Sequence, residues 1–408
     1  MSGPGGAPPY GQPGWGPPPG QDPYGQSGWG QPYPQPYPQP YPQPQPPYGQ
    51  SPYGQQPPGW GPPPGWQQPA PPFQPPPEPD PRWAFPHPEP RPYHQMLRTW
   101  TYRTWKPLVG VLLVVLGLVI VLPLITFPVL LVAALFEPGD MSYGDRIFQA
   151  ATLEKLTPSG LLYLNVALGA MILWVGLVMR WLHHLRLRWS SSVVPKLRWT
   201  FMAGCAGMAV VALIAQVVVG ALVPQSANPD VAGQANAVTG TTIALAVVVL
   251  LTTPFQAAGE EYAFRGYLLQ AIGALARHKW ISIVLTALLF AVAHLQFDPP
   301  LFFDRFMFGL IAAWLVIRTG GLEAGIALHV LNNYLAFGFA IAFTDLDSAL
   351  DPGDVSWWNI PVTLTQSLVY AVLVLWLARR MKVQTTTRPP HLDEPEQQPA
   401  QAVSAGPV

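Results

Sequence analysis

The chain contains little charge and only one cysteine. Of its 408 residues, 21 are Lys or Arg and 21 are Asp or Glu, which is about half the share of charge in a typical soluble protein. The formal net charge is zero, so no global basic field predicts a nucleic-acid partner. Cys205 alone can form neither an internal disulfide nor a Cys-x-x-Cys metal site. These absences argue against a disulfide framework, a cysteine-rich zinc site and nucleic-acid binding.

Charge is missing altogether from one long stretch near the start. No charged residue lies between Asp22 and Glu78, and 35 of the 53 prolines lie in the first 100 residues. Pro removes backbone donors and Gly adds chain entropy. No aliphatic core is present there to offset an ordering cost of about 1–2 kcal/mol per residue. We therefore predict a disordered tail rich in Pro, Gly, Gln and Tyr over residues 1–95, acting as a solvated spacer or a docking segment for protein partners.

The rest of the chain is apolar in long segments. A helix needs about 20 apolar residues to cross a bilayer, and eight segments approach that length. The predicted fold is an all-α polytopic membrane protein with about eight transmembrane helices and disordered N- and C-terminal tails. The predicted spans are 107–136, 160–182, 200–223, 241–272, 280–297, 301–318, 321–343 and 357–378.

Basic residues occupy alternate loops between these spans. The intervening loops are poor in Lys and Arg, and two of them, 224–240 and 344–356, contain Asp instead. The positive-inside rule then predicts that both termini are cytoplasmic. The tail composition favours a bacterial plasma membrane. The basic residues are Arg98, Arg103, Lys106, Arg186, Arg188, Lys196, Arg198, Arg277, Lys279, Arg318, Arg379, Arg380 and Lys382.

Three short motifs place polar side chains inside the apolar segments. A charged side chain at the bilayer centre costs about 2.5–3.5 kcal/mol on insertion scales, so each such residue predicts a functional role. The motifs are Glu260-Glu261-x-x-x-Arg265, Phe290-x-x-x-His294 and His329-x-x-x-Asn333.

Spacing predicts that the motifs share a site. Glu260 lies 17 residues before Arg277 and His294 lies 17 residues after it, so a helical hairpin turning near Arg277 brings both to one depth. His329 and Asn333 are four residues apart and share a helix face.

Each motif also has a simpler interpretation. Glu261 and Arg265 can form a structural clamp. His294 near a helix end can bond a backbone carbonyl, and His329 with Asn333 can join two packed helices. The ordered set of three motifs favours a shared site over these separate roles.

The residue types suit hydrolysis by activated water. A carboxylate in a water-filled cavity can take a proton from water, and a histidine beside it can share that proton. A second histidine and an amide can stabilise the oxyanion. The sequence has neither a Gly-x-Ser-x-Gly nor a His-Glu-x-x-His motif. Glu260, His294 and His329 remain candidate ligands for a divalent metal such as zinc, and the sequence does not decide between metal and no metal.

The three motifs resemble the signatures of the CPBP intramembrane proteases. This is the CAAX-protease and bacteriocin-processing group, also called the Abi family, and the similarity covers about residues 200–378. The resemblance implies an α-helical membrane fold with a buried hydrophilic cavity. It implies Glu260 as the water-activating base with His294 assisting, His329 and Asn333 as oxyanion donors, and Glu261 with Arg265 as supports. Family members are described as metalloproteases, although the role of the metal is disputed.

Composition, together with the extent of the resemblance, divides the chain into further regions. These are a basic-aromatic juxtamembrane segment (96–106), two additional transmembrane helices with loops (107–199), the protease-like core (200–382) and a disordered C-terminal tail (383–408).

Three functions remain open at the level of sequence. The first is an intramembrane endopeptidase that cleaves an unprenylated, membrane-associated peptide or protein. The second is a membrane scaffold or regulator that retains the motifs without proteolysis. The third is a proton-coupled transporter, since buried Glu and His also form proton relays.

Overall fold

The computed structural model describes residues 86–137, 140–152, 155–224, 235–276, 278–343 and 355–388. The chain divides into the units Met1–Pro75 and Pro76–Val408, and every described residue belongs to the second. The predicted tail up to residue 85 and residues 389–408 lie outside the described residues.

The described residues form helices and no extended strand. Two isolated backbone bridges join Pro92 to Thr386 and Ser192 to Gly321. The helices of ten or more residues are α1 (Trp105–Ala134), α2 (Tyr143–Thr152), α3 (Pro158–Leu182), α4 (Trp199–Leu222), α5 (Gly240–Leu275), α6 (Lys279–Ala293), α7 (Pro299–Thr319), α8 (Glu323–Phe343) and α9 (Asn359–Arg380).

Seven of these helices are long and apolar enough to span a membrane. Their outward faces carry large exposed apolar side chains, such as Leu124 on α1, Leu250 on α5 and Val372 on α9. A contiguous apolar exterior of this kind suits lipid rather than water. The chain is therefore an integral membrane protein. The short helix α2 lies in a loop for which no helix was predicted.

Helix α6 is shorter than the predicted span 280–297. It ends at Ala293 after 15 residues, or about 22 Å, against a hydrocarbon thickness of about 30 Å. The chain leaves the helix because Leu295 adopts a left-handed conformation, with φ 55°. Asp298 then caps α7, which starts with two prolines. This early end makes His294 the C-terminal cap of α6.

Helix α5 holds the first motif and is longer than the other described helices. It runs for 36 residues, about 54 Å, and changes to π-helical geometry over Tyr262–Leu268. It packs against α3 on one side and α8 on the other. Gly259 allows the close approach to α3, because a Cβ there would lie 2.0 Å from the carbonyl oxygen of Leu168.

The segments flanking the bundle also pack against it. Tyr93 is fully buried and donates its hydroxyl to the carbonyl of Ser190. The amide of Thr387 donates to the carbonyl of Arg91 at 2.9 Å. The packed part thus includes residues 86–95 and 383–388, which the sequence placed in disordered tails. Elsewhere the predicted domain boundaries stay predictions.

Candidate active site in the membrane bundle

The first and third motifs meet between α5 and α8. Glu260 and Glu261 occupy the last turn of α5 before its π-helical part, and His329 lies six residues into α8. All three are buried. A π-helical segment often marks a functional position in a helix, and here it begins at the residue after Glu261.

Glu261 joins Arg265 and His329 through one oxygen. Its Oε1 accepts from Arg265 Nη1 at 2.8 Å and from His329 Nδ1 at 2.9 Å. Both Glu261 and Arg265 are fully buried. The clamp predicted between these two residues therefore exists, and it also fixes the histidine of the third motif.

His329 lies between two carboxylates. Its Nε2 is 3.6 Å from Oε2 of Glu260, which is too long for a direct hydrogen bond. A carboxylate oxygen can only accept, so the Nδ1 that faces Glu261 carries the hydrogen. In the neutral ring, Nε2 is then the free nitrogen, and it faces Glu260.

Two phenylalanines enclose this cluster. The ring of Phe308 on α7 meets His329 edge-on with centroids 5.2 Å apart, and that of Phe290 on α6 does so at 6.0 Å. The guanidinium of Arg265 lies 4.2 Å from the Phe290 ring centre, within cation–π range. The aromatic rings exclude solvent from the ion pair.

Gln256 extends the cluster towards Asn333. It lies one turn before Glu260 on α5 and donates through its side-chain amide to Oε1 of Glu260. Asn333 Nδ2 donates to Oε1 of Gln256 at 3.0 Å. Gln256 was not among the residues predicted from the sequence, although a glutamine four residues before Glu260 in an apolar helix was a usable signal.

His294 is placed differently from the other predicted site residues. It caps the end of α6 and is half-buried, and its Nδ1 donates to the carbonyl oxygen of Phe290 at 2.8 Å. This is the simpler role that the sequence allowed for it. Because a carbonyl can only accept, Nε2 is left as the proton-accepting nitrogen. No hydrogen bond joins His294 to Glu260 in the described part of the chain.

Several polar atoms of the cluster have no partner among the described residues. Oε2 of Glu261 and Nε and Nη2 of Arg265 are buried without a hydrogen bond. Gly325 on α8 lies against this oxygen, since a Cβ there would be 2.5 Å from Oε2. Unsatisfied buried polar atoms cost roughly 1–3 kcal/mol each, so the fold carries a local cost here.

The predicted metal ligands do not form a metal site in this arrangement. Over the described residues, no three His, Cys, Asp or Glu side chains are grouped so that they could hold a metal ion. Glu260, His294 and His329 are therefore not arranged as a three-ligand set.

Comparisons with known proteins point to the same segment. Residues 241–335 match the family model described as type II CAAX prenyl endopeptidase Rce1-like, a range that contains all three motifs. This match confirms the resemblance to the CPBP proteases inferred from those motifs.

A curated relative is similar over part of its length. The chain is 27% identical over 154 residues to the uncharacterized protein YyaK of Bacillus subtilis (strain 168). The similarity covers 34% of this chain and 50% of that relative. No solved structure gives a significant match.

Proposed function

We propose, from the Rce1-like match over residues 241–335, that the chain is an intramembrane endopeptidase. The observation that carries the proposal is the buried cluster in which Glu260 faces His329 inside apolar helices. Two carboxylates, one arginine and one histidine are costly to place in a bilayer. Ionisable residues at such positions are typical of functional sites.

In the proposed reaction Glu260 activates a water molecule. The carboxylate takes one proton, and the resulting hydroxide attacks the carbonyl carbon of the scissile bond. His294 assists by accepting from the same water through Nε2. Glu260 then gives its proton to the leaving amine as the C–N bond breaks. The products are a carboxylic acid, which then loses its proton to water, and an amine, without a covalent intermediate.

The oxyanion is stabilised by His329 and Asn333 in this proposal. His329 donates through Nε2 when both ring nitrogens carry hydrogen, while its Nδ1 stays bonded to Glu261. The amide of Asn333 has two hydrogens, of which one bonds Gln256. The other is available to the oxyanion. No step is assigned to a metal.

The proposed substrate is an unprenylated, membrane-associated peptide or protein. The family description names prenyl endopeptidases, and that activity belongs to the family model. Purified protein given matched peptides with and without a farnesyl group tests the difference. Cleavage of only the farnesylated peptide would contradict this part of the proposal.

The proposed location is a bacterial plasma membrane with both termini in the cytoplasm. The alternation of basic loops supports this orientation. Reporter fusions after Leu222 and after Arg380 test it, because the rule predicts opposite sides for the two positions.

The direct test compares protein termini in membranes containing wild type or Glu260→Gln at equal abundance. Termini found only with wild type establish proteolysis and identify substrates. Asp145→Asn is the matched control, an acid-to-amide change on the exposed side of α2, and it should give the wild-type pattern. Identical termini for wild type and Glu260→Gln, also after purified protein is supplied with membrane peptides, would contradict the proposal.

The same comparison addresses the scaffold and the transporter. A scaffold predicts that Glu260→Gln is silent and that loss of residues 1–95 is not. A transporter predicts proton or solute flux in proteoliposomes, which the protease does not require.

A further inference from the structure

A second polar site lies outside the bundle interior, at the end where α6 begins and α7 and α9 end. It is a cavity of about 550 Å³ between these helix ends, the segment around Pro92 and the chain after α9. Four basic side chains line it: Lys279, Arg318, Arg379 and Lys382. We call it the basic cavity.

The charges of the basic cavity are not balanced within it. No Asp or Glu is among the described residues that line it. None of its four basic side chains forms a salt bridge with a described residue. Four like charges around one opening repel each other, so the arrangement favours an anion from outside the protein.

A buried histidine provides the second, independent observation. His94 lines the cavity and is 6% exposed, and its Nδ1 is buried without a hydrogen-bond partner. Burial and the nearby Lys279 and Arg98 lower the pKa of His94 to about 4. The ring is therefore neutral near pH 7, and one of its nitrogens can donate to an anionic oxygen.

Apolar side chains form part of the cavity wall. Ile317, Leu375 and Val383 contribute to it, and the first two lie on helices that span the membrane. A cavity that is basic at the interface and apolar towards the bilayer matches a phospholipid, with its phosphate at the rim and its chains along the helices. Basic pockets between transmembrane helices on the cytoplasmic side bind such headgroups.

We propose that the basic cavity binds the phosphate of an anionic membrane phospholipid. The lipid would bridge α7 and α9 to the short helical turn Tyr93–Gln95 that carries His94. This site is separate from the Glu260 cluster and does not depend on the proposed protease activity.

A second basic cluster offers a matched control. Arg180, His184 and Arg186 line a more open depression with Trp181 at the end of α3. None of the four residues that line it is buried, so it has no counterpart of the buried His94 of the basic cavity. Arg180→Gln with Arg186→Gln removes as much charge as Arg318→Gln with Arg379→Gln.

Native mass spectrometry of the full chain in detergent tests the proposal, with phosphatidylglycerol and phosphatidylcholine as probes. We expect wild type to retain one phosphatidylglycerol in preference to phosphatidylcholine. The Arg318→Gln, Arg379→Gln variant should bind it about tenfold or more weakly, and the α3 control within about twofold of wild type. Equal weakening in both double variants would overturn the proposal. Arg318→Lys with Arg379→Lys keeps the charges, and loss of binding there without loss of folding would also overturn it.

Two further arms identify the source of the anion. Inorganic phosphate and glycerol 3-phosphate should stabilise the protein far less than the lipid does, and equal stabilisation would overturn the assignment to a lipid. Asp393, Glu394 and Glu396 follow the described end of the chain and are a competing source of negative charge. Changing all three to amides should leave lipid binding unchanged. Lipid binding seen only in that variant would assign the cavity to the chain's own acidic segment.

Discussion

Two buried glutamates, Glu261 and Glu323, are each paired with an arginine, but they differ in how fully they are satisfied. Glu323, at the start of α8, accepts two hydrogen bonds from the guanidinium of Arg198 at 2.8 and 2.6 Å. It accepts a third from the backbone amide of Arg198 at 2.9 Å. Both of its oxygens are used. Glu261 uses one oxygen for Arg265 and His329 and leaves the other without a partner. A second carboxylate, Glu260, lies beside this unbalanced pair.

The difference agrees with a structural role for the Glu323 pair and with the reactive role proposed for the cluster around Glu261. Arg198 also donates to the carbonyls of Thr319 and Gln384, so the Glu323 pair fastens α7 and the chain after α9 to the start of α8. Both carboxylate oxygens of Glu323 are thus occupied by Arg198, which suits a structural pair. The Glu260–Glu261–His329 cluster retains hydrogen-bonding capacity that the described residues do not use, and the proposed binding of water and substrate would use it.

Among the variants at the two glutamate pairs, Glu260→Gln should have the largest effect, and that effect is a loss of cleavage. It keeps the shape of the side chain and removes the group that accepts the proton, so we expect cleavage to fall by about 10²–10⁴-fold. The melting temperature should change little, because Glu260 forms no short ion pair. Cleavage assays and thermal unfolding in detergent measure the two quantities. Retained cleavage would remove Glu260 from the mechanism.

Glu323→Gln should give the opposite result. Breaking a buried pair typically costs about 3–5 kcal/mol, and we expect about 3 kcal/mol because Arg198 is partly exposed. The melting temperature should drop by several degrees, while cleavage per folded molecule at a permissive temperature stays near wild type. If both variants lost cleavage without losing stability, the distinction between the two glutamates would fail.

Gln256→Leu should have an intermediate effect. It removes the amide that connects Asn333 to Glu260 while keeping an apolar side chain of similar length in α5. Supporting residues of this type typically contribute about 10–100-fold. We expect kcat to fall in that range with KM nearly unchanged. Gln256→Glu is the companion variant, because a carboxylate there cannot donate to Glu260 and should lower kcat as well. A change confined to KM would assign Gln256 to substrate binding.

The sequence predicted the helices more reliably than the contacts among them. Eight apolar segments correspond to eight helices because length and apolar composition are local properties. The early end of α6 was missed, since it depends on the backbone of Leu295 as well as on the prolines after Asp298. Those prolines were visible and could have moved the boundary.

The partners of the histidines could not be read from the sequence. Equal spacing around Arg277 predicted that Glu260 and His294 lie at one depth, and the family resemblance implied that His294 assists Glu260. The structure makes His329 the histidine nearer to that carboxylate. Which residues of α5 and α8 face each other depends on helix rotation and tilt, and these are set by close approaches such as that of Gly259 to Leu168. The roles of both histidines stay predictions until variants are assayed.

The smallest expected effect is a pH dependence of hydrogen-exchange protection in the segment before α1. This segment lies at the same end of the bundle as the Glu323 pair. Burial lowers the pKa of both His87 and His94 to about 4, against 6.5 for a free side chain. Between pH 4 and pH 6.5, the segment that carries these two histidines binds more protons when it is detached from the bundle than when it is packed against it. Its packing is therefore fully stable above pH 6.5 and weakens as the pH falls towards 4. Hydrogen exchange over Tyr93–Gln95, corrected for its intrinsic pH dependence, should show less protection at pH 5 than at pH 7. His87→Gln with His94→Gln removes both titrations and should abolish that difference. If the double variant kept this pH-dependent difference in protection, the weakening at pH 5 would have to arise from groups other than His87 and His94.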